Sequence, residues 1–185
     1  MNGNLLSTLW PQSQVLHKTM LVGLGVALLT LASKVQVPFW PVPMTLQLLA
    51  VLMIGATAGA RLGGATVLAW LGLGALGAPV FATGAGLAYM AGPTGGFLAG
   101  FLVAAVVVGS LADRGHGRSI PSALLMLLIG VAIIYVLGLS WLTVAFDGDV
   151  KKAVMLGFVR FIPADVLKVA LGTAILTAAW KQAKR

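Results

Sequence analysis

An all-α integral membrane protein with six transmembrane helices and both termini in the cytoplasm is predicted by three observations. Of the 185 residues, 59% are hydrophobic and only 9% are charged, whereas soluble domains carry about a quarter charged residues. The apolar residues form long runs separated by short breaks, and at roughly 20 residues per helical span the chain has room for about six. Lys and Arg fall unevenly between the two sets of breaks, as they do when one set faces the cytoplasm. No room is left for a separate soluble domain, so residues 1–185 read as a single membrane domain.

The spans read as 17–35, 44–60, 62–78, 95–112, 120–146 and 158–180. Ahead of the first, NLLSTLWPQSQ (4–14) reads as an interfacial segment with Trp10 as its anchor. The first Lys is Lys18, and the apolar run after it leads into further spans, which is not the pattern of a cleavable signal peptide. The second and third spans read as joined tightly around Arg61. The fifth is long enough to tilt. Lys18, Arg61, Arg114, Arg118, Lys181, Lys184 and Arg185 fall on one side, and Lys34, Lys151 and Lys152 on the other, diluted by Asp147 and Asp149. This bias of seven to three puts both termini inside.

Three unusual segments then share the outer side and can converge. VPFWPVPMTLQ (37–47) holds three prolines in six residues, so it is not a continuous helix. Apolar but irregular backbone belongs under protein cover or over a cavity, with Phe39 and Trp40 on a stiff loop. Thr45 and Gln47 open the second span, and Gln47 can both donate and accept hydrogen bonds. The segment 78–97 has five glycines and no charge, punctuated by Phe81, Tyr89 and Phe97. Its GPTGGF end places backbone amides near a helix start, which suits a carboxylate. RFIPADVLK (160–168) puts Pro163 in a helix first turn and Asp165 and Lys168 three apart on one face. An ionised group at the membrane centre costs roughly 2.5–3.5 kcal/mol, and pairing reduces that cost. A structural ion pair would explain Asp165 and Lys168. Their position beside the irregular loops favours a cavity for a small, rigid solute that is both apolar and hydrogen-bonding.

Other classes of function find less support. The net charge of +8 reads as loop-end charge rather than a nucleic-acid surface. There is no Cys, no phosphate-loop motif for ATP, and no His pair with metal-ligand spacing; His17 and His116 read as solvated. An enzyme would have to work with one carboxylate and one Lys, and a lone channel would need a polar path that the middle spans lack.

The motifs VPFWPVPMTLQ, GAPVF with GPTGGFLAGF, and FIPADVLKVAL, in that order and over nearly the whole chain, resemble the BioY family. These are the biotin-specific substrate-binding (S) components of energy-coupling factor (ECF) vitamin transporters. The resemblance implies a six-helix protein of the bacterial cytoplasmic membrane that captures biotin at its outer side. It implies a transmembrane coupling subunit and cytosolic ATPase subunits as partners, with no cofactor here and ATP hydrolysis on those partners. Carried onto this chain, Asp165 would accept a ureido N–H, and Lys168 would serve the ring oxygen or balance the charge. Phe39, Trp40, Met44 and Tyr89 would surround the bicycle and thioether, Gln47 would add a hydrogen bond, and the carboxylate would lie near the glycine-rich segment or Arg160. The family's Ala-x-x-x-Ala docking pattern on the first helix is replaced here by Gly23 and Ala27. An S component for another vitamin or small heterocycle is the alternative, and self-association is left open.

Overall fold

The computed structural model describes residues 4–5 and 15–183. Trp10, most of the interfacial segment, Lys184 and Arg185 lie outside the described residues. The first long helix, α1, is Val15–Lys34. A two-stranded hairpin follows, β1 (Gln36–Val37) against β2 (Met44–Thr45), antiparallel with Gln36 opposite Thr45. Next come α2 (Gln47–Ala75), the short α3 (Gly86–Met90), α4 (Gly95–Asp113) and α5 (Ile120–Ala145). The short α6 (Val150–Val154) runs into a π-helical turn at Met155–Val159, and α7 is Ile162–Ala183. Among the described residues, five helices are long and apolar enough to cross a membrane.

The expected second and third spans are both inside α2. Its helix breaks at Gly59, whose φ of 79° and ψ of 178° lie outside helical geometry. A Cβ built on Gly63 would lie 3.1 Å from the Cα of Gly55. Eight residues along a straight helix span about 12 Å, so the chain reverses at Gly59 and the halves pack side by side. The chain therefore has five to six helical spans, and the turn is at Gly59 rather than around Arg61. Gly is required because this φ strains any L side chain. Asp113, at the end of α4, accepts the Ala60 amide at 3.0 Å and so caps the second half. Its other oxygen accepts from Asn4 Nδ2 at 2.7 Å.

The first half, 47–58, rises only about 18 Å, less than the roughly 30 Å hydrocarbon core. The last span begins at Ile162, later than the expected 158, because the π-turn precedes it. Pro163 sits in its first turn, where a missing donor is tolerated.

Small residues set the helix packing. A Cβ on Gly55 would meet the Ala105 carbonyl oxygen at 2.7 Å, and one on Gly100 the Ile134 Cα at 2.9 Å. The glycine pairs 55/59, 59/63 and 96/100 thus face inward. One end of the bundle gathers the Gly59 turn, the 114–119 loop and the end of α7, where Arg118 lies 4.7 Å over the Trp180 ring. The other end gathers the hairpin, the 78–94 segment and the start of α7.

Candidate functional site

At that second end the three irregular segments enclose one cavity. Phe81, Tyr89, Phe97, Phe101 and Phe161 supply aromatic walls, and Gln47, Thr94, Tyr135, Asp165 and Lys168 the polar groups. The cavity volume open to the centre of a water-sized sphere is about 60 Å³, below the ~300 Å³ or more of typical ligand sites.

Asp165 is 6% exposed. The i, i+3 spacing on α7 brings Lys168 Nζ to its Oδ1 at 2.7 Å. Its Oδ2 accepts the hydroxyl of Tyr135, from the middle of α5. Tyr135 is itself held edge-on by Phe97 and Phe158, with ring centroids at 6.2 and 4.8 Å. The carboxylate is thus fixed in direction while each oxygen keeps a second lone pair, and Lys168 keeps two further N–H donors. This group can accept an N–H and donate to a carbonyl at the same place.

Gln47 is 4% exposed. Its Oε1 accepts from Thr45 Oγ at 3.0 Å. Its Nε2 is buried with no partner among the described residues. A buried donor left unmade costs about 1–3 kcal/mol, so this amide is suited to a ligand acceptor.

The structure thus brings Met44, Gln47, Tyr89, Asp165 and Lys168 around one cavity. Phe39 stands behind the wall, stacked on Phe161 at 6.1 Å. Trp40 is 72% exposed and does not line the cavity; the hairpin tip turns it outward. Arg160 is exposed at the turn before α7 and is also absent from the lining. Sequence reasoning missed Tyr135, which reads as one more apolar residue of a long span. The available signal was its hydroxyl, since a buried Tyr usually finds a partner. Among the described residues no group of His, Cys, Asp or Glu could hold a metal.

The sequence profile of the BioY family matches residues 5–185. The probable biotin transporter BioY of Pyrococcus horikoshii is 40% identical over 159 residues, covering 85% of this chain and 91% of that protein. The biotin transporter BioY of Thermotoga maritima is 36% identical over 154 residues, covering 83% and 89%. Among solved structures, the S-component for biotin from an ECF-type ABC transporter superposes with a TM-score of 0.78 at 24% identity. It covers 92% of this chain and 95% of that one, which establishes the shared fold.

Proposed function

This chain belongs to the BioY family, and from that premise we propose that it captures biotin in the cavity at the hairpin end, as the substrate-specific subunit of an ECF-type transporter. The observation that carries the reading is the Tyr135–Asp165–Lys168 group facing the unpartnered Gln47 amide across an aromatic cavity. A ureido ring presents two N–H donors and one carbonyl acceptor, and this group answers both. Phe81, Tyr89 and Phe97 suit the thioether ring. The valerate carboxylate falls to the 92–97 segment around Thr94, since Arg160 lies off the cavity.

The first test is calorimetry of the purified chain with biotin, thiamine and riboflavin. Tight binding of biotin alone is expected; selective binding of another vitamin would transfer the site to that ligand. Gln47→Leu keeps the side chain's bulk and removes the donor. It should raise the Kd for biotin about tenfold, the scale of one hydrogen bond; an unchanged Kd would take Gln47 out of the site.

The coupling partner belongs on α1. Gly23 and Ala27 are both exposed, and a Cβ on Gly23 would meet nothing within 4 Å. Gly25, two residues on, faces Thr66 instead, 2.5 Å from a built Cβ. Among the described residues nothing packs on Gly23, and the exposed 23/27 notch suits close approach of a foreign helix. Gly23→Leu should leave biotin affinity unchanged and impair assembly with the transmembrane coupling subunit. Pull-down of an intact transporter with that variant would move the docking face elsewhere. The excess of Lys and Arg at the Gly59 end supports a cytoplasmic position for that end and for both termini.

A further inference from the structure

The segment 80–82 is irregular backbone at the cavity wall, and its carbonyls need partners. Three consecutive ones find them in side chains from the end of α1 and the start of β1. Val80 O accepts from Ser33 Oγ at 2.8 Å, Phe81 O from Lys34 Nζ at 2.6 Å, and Ala82 O from Gln36 Nε2 at 3.2 Å. Ser33 is fully buried. The Lys34 bond carries a full charge on its donor and is the strongest kind of the three. Phe81 and Ala82 line the cavity. Phe81 is fully buried, stacks on Tyr89 at 5.1 Å and meets Trp70 edge-on at 4.9 Å. Gln36 also pairs through β1 with Thr45, whose hydroxyl holds Gln47. Both walls of the cavity are therefore fastened to the same end of α1.

We propose that Ser33, Lys34 and Gln36 are positioning residues, a strap through which the seating of α1 sets how long a ligand stays in the cavity. They touch no ligand themselves. A shift of α1 at its outer end moves the Phe81–Ala82 wall and the 44–47 wall together, so the helix with the exposed 23/27 notch is the one tied to both walls. The inference rests on the biotin reading for its ligand but not for the strap itself.

The test uses the whole chain in lipid nanodiscs, with Lys34→Met, Lys34→Arg and Ser33→Ala. Lys34→Met keeps the stem and removes the donor. Biotin should dissociate from it about tenfold faster with an association rate within about twofold of the parent, as expected when a wall that retains the ligand loses a charged hydrogen bond that holds it in place. Amide hydrogen exchange should rise across 79–90 and stay unchanged in α4 and α5. Lys34→Arg should restore both, and Ser33→Ala should shift both in the same direction by less. A general structural role would instead raise exchange throughout and leave no rescue by Arg, which overturns the proposal. Parental exchange across 79–90 in Lys34→Met, or faster exchange with unchanged dissociation, overturns it as well. Failure of the parent chain to bind biotin would sink the biotin reading, and the exchange measurement would then decide the strap alone.

Discussion

Asp165→Asn is expected to weaken biotin binding by about 1–3 kcal/mol, roughly five- to 150-fold, because a charged acceptor becomes a neutral one. The same change should lower stability. Lys168 loses its carboxylate at 2.7 Å, and its side chain is only 11% exposed. Removing one partner of a buried pair costs on the order of 3 kcal/mol, mostly the penalty of the charge left behind. The two effects separate in the double variant Asp165→Asn with Lys168→Met. No unpaired cation remains, so thermal stability should recover toward the parent value while biotin binding stays weak. Calorimetry and thermal unfolding in one detergent read both. Full affinity in a folded Asp165→Asn variant would remove the carboxylate from the site and leave the pair as a purely structural one.

The largest effect on the fold is expected at the contact between α2 and α4. In Gly55→Ala the new Cβ lies 2.7 Å from the Ala105 carbonyl oxygen and 3.2 Å from its Cα. Both are backbone atoms of a packed helix, so the helices must move apart, at a cost of about 1–3 kcal/mol. Gly72→Ala is the control on the same helix. Its Cβ meets nothing within 4 Å, and replacing a helical Gly by Ala gains up to about 1 kcal/mol. Opposite signs in thermal unfolding are the expected result. Equal shifts would show that the close approach at Gly55 does not hold the halves of α2 against α4.

The positions where reading the sequence went astray share a cause. Gly59 sits among Gly55, Gly63 and Gly64, and nothing local distinguishes it as the point of reversal. The choice depends on Asp113, far along the chain, reaching the Ala60 amide. Tyr135 meets Asp165 across 30 residues of sequence. Lys34 read as an ordinary loop-end charge, yet its Nζ reaches a carbonyl 47 positions away. Arg160 stands next to Phe161 and Trp40 two residues before Val42, both of which line the cavity, and only the course of the backbone turns Trp40 and Arg160 away from it.

The sequence by itself determined the membrane class, the order of the apolar spans, the irregular character of the hairpin segment, and the shared face of Asp165 and Lys168. Each of these is a local property, carried by composition, by proline, or by the i, i+3 geometry of one helix. Only the tertiary structure decided where the chain reverses within α2, which aromatic side chains wall the cavity, what holds the Asp165 carboxylate from its other side, and how α1 is tied to Phe81. Those are contacts between segments distant in sequence. The apolar pattern leaves them open because any face of an oily helix can meet either lipid or protein, and close packing with satisfied hydrogen bonds selects between the two.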